Sequence, residues 1–224
     1  MERIIEELNR EKFIQVSNIT EYPIVVHAVA GAGKTTLLHR LLKDLDLRIC
    51  TTAQPSGFSI LGRKISRFSI SEPCDILDEY PGAEHPKASK LLLADPFQYS
   101  ANLSGAHFIK LHTHRFGKNT CALLNRIFNH HFTSDKEDSV VFAGLYQGEP
   151  IGQLITLEEE TFNLCLNHQL TPLRPCELYG REYNEVTVLL SETWTHYPPH
   201  LLYLALTRHQ TKLLILSDAV SSTT

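Results

Sequence analysis

The chain has 224 residues, enough for one large domain or two minimal ones of roughly 110 residues each. Apolar residues make up 42% of it, so a buried core is feasible, and its formal net charge of −4 excludes a uniformly basic nucleic-acid binder; any groove for a polyanion must be local. Five cysteines, none in a CxxC pair, argue against a disulfide framework and for a reducing compartment, and no run approaches the ~18 consecutive apolar residues of a membrane span.

Residues 1–22 read as an accessory segment. Its opening, MERIIEELNREKF, has the period of a short amphipathic helix with Ile4, Ile5 and Leu8 on one face. Its acidic residues, and the lack of a small-residue cleavage site, are unlike a signal peptide. From Pro23 the text alternates. PIVVHAV (23–29) reads as a buried strand, and residues 35–45 as a helix whose apolar face is Leu37, Leu38, Leu41, Leu42 and Leu45. LRICTTA (47–53), CDILDEY (74–80), LLLAD (91–95) and HFIKL (107–111) read as further strands. Apolar strands of this kind fit a parallel sheet covered on both faces.

A second alternation follows. CALLNRIFNHHF (121–132) reads as a helix and SVVFAGLY (139–146) as a strand. Thr156 followed by Glu159 reads as a capping box opening the helix LEEETFNLCLNH (157–168). EVTVLLS (185–191) is a strand, HLLYLALTRH (200–209) a helix, and KLLILSD (212–218) a closing strand. The expected organisation is therefore an α/β chain with two parallel-sheet domains, 23–111 and 112–224, and a frayed tail at 221–224.

HAVAGAGKTT (27–36) carries the chemistry. The usual phosphate-loop pattern is Gly, four residues, then Gly-Lys-Ser/Thr. Gly33, Lys34 and Thr35 fit its end, while Ala28 stands in the first Gly position, where it is tolerated if the backbone needs no positive φ. Backbone N–H groups from Ala30 through Gly31, Ala32 and Gly33 to Thr36 would surround a triphosphate. Lys34 would reach its β and γ phosphates, and Thr35 would offer a hydroxyl to Mg²⁺. The competing reading is a glycine-rich turn with a chance lysine; the strand before and helix after favour the site. On CDILDEY, Asp78 would hold Mg²⁺ through water and Glu79 would be the general base, unless the pair merely opens a surface turn before Pro81.

Further motifs follow in order. LLLADPFQY holds Asp95 and Gln98, HTHRFGK holds Arg115, YGREY spans 179–183, and LLYLALTRHQ ends on Arg208. Together they resemble motifs III to VI of superfamily one helicases. The compact combination resembles the triple gene block protein 1 family of potexviruses and carlaviruses, plant-virus movement proteins with such a domain. The resemblance implies two small RecA-like domains with a nucleotide cleft between them and an NTP, such as ATP, with Mg²⁺ as cofactors. It implies a γ-phosphate sensor at Gln98, arginine fingers at Arg115 and Arg208, and ribose contacts at Gly180 and Glu182. A surface salt bridge is the alternative for either arginine. LNREK puts Lys12 where relatives have an adenine-reading Gln, so adenine selectivity does not follow. There is no room for the large inserted domains of bacterial relatives, so processive unwinding is not implied.

The implied polynucleotide is single-stranded RNA, the viral genome. The segment 51–57, with Thr51 and Thr52, would contact its backbone. Arg63, Lys64 and Arg67 form a local basic run beside Phe68, and Tyr99 could stack on a base. A solvated strand edge and a packing tyrosine are the competing readings. His112, His114, His130 and His131 lack the frame of a zinc site. The family further implies self-association, viral movement-protein and coat-protein partners, silencing suppression, and a place in the host cytoplasm and at plasmodesmata. Two other readings remain open: an RNA-coating movement protein whose ATPase is incidental, and a small phosphotransferase.

Overall fold

The computed structural model describes residues 2–44, 46–55, 59–60, 63–101, 103 and 105–220. The expectations that fall on Leu45, Ser56, Gly57 and the tail at 221–224 lie outside them. The chain divides into two compact units, Met1–Leu111 and His112–Thr224.

The first unit opens with α1 (Glu2–Arg10), which buries Ile4 and Leu8, four residues apart and so on one face. Glu7 is buried beside them and is held by Arg3 and Arg10 at 3.2 and 3.4 Å. Ile5 is only half-buried. The helix ends in a Schellman turn: Phe13 N–H donates to Leu8 O and Lys12 N–H to Asn9 O, with Lys12 left-handed at φ 60°. The turn leads into β1 (Ile14–Gln15), a short strand missed by the sequence reading.

Next come β2 (Ile24–Ala28), α2 (Lys34–Asp44), β3 (Ile49–Thr51), β4 (Ser59–Ile60), β5 (Arg63–Lys64), β6 (Ser66–Arg67), β7 (Ile76–Asp78), β8 (Leu91–Ala94) and β9 (Phe108–Lys110). The main sheet has the order β1-β9-β2-β8-β7-β3-β6. Every pairing in it is parallel except β1 with β9. β8 is buried along its whole length and β2 nearly so, as strands covered on both faces must be. Leu37, Leu38, Leu41 and Leu42 of α2 are fully buried, the face expected of them. Strands β4 and β5 form a separate antiparallel pair.

The second unit contains α3 (Lys118–Phe128), β10 (Ser139–Ala143), β11 (Gln153–Thr156), α4 (Glu159–Asn167), β12 (Tyr183–Leu189), α5 (Pro199–Leu206) and β13 (His209–Leu216). Its sheet is parallel throughout, in the order β10-β13-β12-β11. α3 begins three residues before the expected start because Asp138 caps it, accepting from the N–H groups of Gly117 and Asn119 at 2.8 and 2.9 Å.

The capping box at Thr156 and Glu159 is not formed. Thr156 is the last residue of β11, buried and paired with Leu189, so its hydroxyl cannot reach the helix start. Glu158 stands at the N-cap instead, and its carboxylate accepts from Ser191 and Tyr197. The expected helix over 200–209 stops at Leu206. Thr207 turns its hydroxyl back to Tyr203 O at 2.8 Å, and the chain re-enters the sheet at His209. Arg208 therefore sits at a helix-to-strand junction. The cysteines are all free: Cys50, Cys74, Cys121 and Cys165 are buried, and Cys176 is exposed.

Candidate phosphate-binding and hydrolysis site

The loop between β2 and α2 has the backbone a phosphate cradle needs. Gly31 and Gly33 lie at φ 75° and 95°, the left-handed region that favours glycine. Ala28 is a buried strand residue with an ordinary φ, paired with Lys110 of β9, so the missing first glycine costs nothing. Thr35 and Thr36 are exposed on the first turn of α2. Lys34 folds back over the loop. Its Nζ donates to Ala28 O at 2.9 Å and Val29 O at 3.4 Å, and lies 3.8 Å from Glu79 Oε1.

Glu79 follows β7 and is itself left-handed, at φ 52° and ψ 43°. A non-glycine residue there carries roughly 1–3 kcal/mol of strain, so surrounding bonds must hold it. Thr52 Oγ1 donates to Glu79 O at 2.5 Å, Gly82 N–H donates to the same oxygen at 3.0 Å, and Tyr99 OH donates to Glu79 Oε2 at 2.9 Å. A Cβ at Gly82 would meet Thr52 Oγ1 at 2.4 Å, so the close approach requires glycine. Asp78 precedes this turn. Its Oδ1 is buried without a hydrogen-bond partner. Burial, and next the charge of Glu79, push its carboxyl up to about 7, against the pull of Lys34. An orphaned, reluctantly ionised carboxylate suits a hard cation that keeps most of its own waters.

Gln98 is buried, and its amide donates to Asp95 Oδ2 at 2.7 Å. Asp95 also accepts from Phe97 N–H at 3.1 Å and so caps the short turn that carries Gln98. Thr51 is 3% exposed. Its hydroxyl accepts from Ala53 N–H and serves Asp78, so both threonine hydroxyls assigned to RNA are used inside the acidic turn. Tyr99 likewise serves Glu79. These supporting roles were missed because they depend on which strands are neighbours: β3 lies beside β7, a pairing no single stretch of sequence encodes.

Of the basic run, Arg63 donates to Leu42 O at 3.3 Å and lies 3.5 Å from Asp46, whereas Lys64 and Arg67 are exposed. Phe68 packs on the core cluster containing Val25 and Leu77. Lys118 pairs with Glu137.

The second unit brings Arg115, Glu182 and Arg208 together. Arg115 donates to Glu182 Oε1 at 2.5 Å and to Thr207 O at 3.3 Å. Burial alone would raise the Glu182 carboxyl, but the Arg115 guanidinium holds it below the usual range. Gln210 adds a bond to Glu182 at 3.2 Å, and the residue remains exposed. Gly180 is left-handed at φ 74° with open space where a Cβ would be. Arg208 is 1% exposed, bonded to Leu204 O, Leu178 O and Thr207 Oγ1 at 3.1, 3.3 and 3.2 Å. Among the described residues no group of three or more His, Cys, Asp or Glu could hold a metal ion. His112 bonds Thr133 and meets His114 edge-on. No helix of the described residues is long and apolar enough to cross a membrane.

Residues 24–217 match the viral superfamily 1 RNA helicase core domain. The chain is similar to the movement and silencing protein TGBp1 of Lily virus X, 41% identical over 208 residues that cover 91% of this chain and 94% of the relative. It is similar to the protein of the same name from White clover mosaic virus (strain O), 34% identical over 234 residues and 99% of each chain. Among solved structures it is similar to the Arterivirus nonstructural protein 10 helicase, with a TM-score of 0.55 at 16% identity. That match covers 96% of this chain but spans only 56% of the helicase, and it shows the fold alone. The expected α/β class with parallel sheets is borne out.

Proposed function

Because the chain belongs to the viral superfamily 1 RNA helicases, and among them to the movement and silencing proteins TGBp1, we propose that it is an NTP-driven RNA helicase that carries viral RNA from cell to cell. One observation supports this most: Lys34, Asp78 and Glu79 gather where β2 and β7 end, beside a loop whose glycines already have phosphate-cradling φ values. Residues 30–36 bind the triphosphate through backbone N–H groups, and Lys34 exchanges its loop carbonyls for the β and γ phosphates. Thr35 and Asp78 would hold Mg²⁺, which supplies charge neutralisation at the phosphates when bound. Glu79, fixed by Thr52, Gly82 and Tyr99, accepts the proton of the attacking water. Gln98 orients that water or the γ-phosphate, with Asp95 aligning its amide. Arg115 stabilises charge on the transferred phosphoryl, with Glu182 positioning it, and Arg208 would join it by giving up its bonds to Leu204 O, Leu178 O and Thr207 Oγ1.

Single-stranded RNA is the partner, met by Lys64 and Arg67 with Arg63 beside them. The names of the relatives add suppression of silencing, and with movement come the host cytoplasm and plasmodesmata, viral movement and coat proteins, and self-association. The test is NTP turnover with and without single-stranded RNA, in wild type and Lys34→Ala. RNA should stimulate wild type, and Lys34→Ala should lose most hydrolysis with unchanged circular dichroism. Normal turnover in Lys34→Ala sinks the site. Wild-type hydrolysis indifferent to RNA would instead favour an RNA-coating protein with an incidental ATPase.

A further inference from the structure

We propose that Lys110 is a second phosphate-contacting cation of the nucleotide site, on the Gly33 flank of the loop. The inference rests on the site reading given above.

Lys110 ends β9, and its backbone is fixed to the start of the loop: it pairs with Ala28, and Val29 N–H donates to its carbonyl at 3.1 Å. A Cβ at Gly33 would lie 3.9 Å from Lys110 Nζ, so the ammonium stands at the loop itself. The residue is 5% exposed, yet among the described residues its Nζ makes no hydrogen bond and no ion pair. The Nζ stands 5.0 Å from the centroid of the Phe13 ring, which the Schellman turn after α1 brings there. A ring face attracts the charge but accepts none of the three N–H donors.

Structural lysines of this chain look different. Lys136, half-buried, turns its Nζ to the carbonyls of Arg115 and Gln210 at 3.0 and 2.5 Å. Glu11 does not fill the gap at Lys110. Its Oε2 lies 3.9 Å from the same Gly33 position, but the carboxylate pairs with Arg40. Burial lowers the Lys110 amine, and Glu11 only offsets part of that. An ammonium on a largely buried stem, with no protein acceptor, gains most when an anion arrives. At this place the anion is the phosphate chain of a nucleoside di- or triphosphate.

The experiment compares wild type, Lys110→Met, Lys110→Arg and Lys34→Ala. MgADP affinity is measured by calorimetry, NTP turnover by steady-state kinetics, and melting by circular dichroism without nucleotide. Lys110→Met should weaken MgADP binding and raise KM by on the order of tenfold, the loss of one charge-assisted hydrogen bond. Its kcat should stay within about twofold. Its nucleotide-free melting point should be unchanged or higher, since an unpaired charge is removed, and Lys110→Arg should restore part of the affinity. Wild-type affinity in Lys110→Met overturns the inference while leaving the Lys34 site intact. A lower nucleotide-free melting point with unchanged affinity makes Lys110 structural and overturns it too. Failure of wild type to bind MgADP would remove the site reading itself.

Discussion

Asp78→Asn should make the nucleotide-free protein more stable while abolishing turnover. In the folded chain the Asp78 carboxyl is pushed from its ordinary 3.8 up to about 7, first by burial and then by Glu79. The folded state therefore holds this proton more tightly than the unfolded chain does. Raising the pH from about 4 to about 7 takes stability away, and above about 7 the penalty is constant. At ~1.36 kcal/mol for each pH unit, the gap between 3.8 and about 7 caps the penalty at about 4 kcal/mol. Asparagine keeps the shape and the acceptor facing Thr51 but never ionises. For a unit of this size, residues 1–111, the cap corresponds to a melting shift of up to about 17 °C at pH 8. At pH 4.5 the shift should fall to roughly a quarter of that, because most of the penalty has not yet built up. The assay is a series of thermal melts of both proteins from pH 4.5 to 8.5 without divalent cations, repeated at pH 8 with MgADP. The ligand should raise wild type more than the variant. A variant less stable than wild type at pH 8, or a gap that does not change with pH, refutes the account of the site.

The two arginines should separate. Arg115→Ala should lower kcat by roughly 10³-fold, the scale of an arginine finger, with a smaller change in nucleotide affinity, and Glu182→Gln should reproduce part of that loss through Arg115; unchanged kcat in single-turnover assays would make the arginine structural. Arg208→Ala should lower stability as well as kcat, because Leu204 O, Leu178 O and Thr207 Oγ1 all lose a donor, and thermal melts read the difference. RNA affinity should fall with salt along a log–log slope of about −2 to −4, with about 0.7 for each neutralised phosphate, and a triple alanine variant at Arg63, Lys64 and Arg67 that kept the slope would place the groove elsewhere.

The phosphate loop was legible because all its requirements are local: glycines, lysine, a strand before and a leucine face after. Lys34 lands where those rules put it, and Leu37, Leu38, Leu41 and Leu42 are buried as their spacing requires. What sequence could not show depends on neighbours distant in the chain. Thr52 and Tyr99 reach Glu79 across 27 and 20 residues, and Glu182 meets Arg115 across 67. The capping box failed for a related reason. Thr156 obeys the local rule, but pairing of β11 with β12 takes it into the sheet. A four-residue edge strand carries too little pattern to outweigh a capping signature.

The distribution of thiols makes this chain convenient for spectroscopy. Cys74 and Cys121 are pushed up to about 12 by burial, and burial raises Cys165 as well. Maleimides attack thiolate, so these sulfurs are both shielded and protonated at neutral pH. Cys50 is buried too, leaving Cys176 as the one exposed thiol among the five. A dye attached to the native sequence would therefore report from a single known point on the second unit, the turn between α4 and β12.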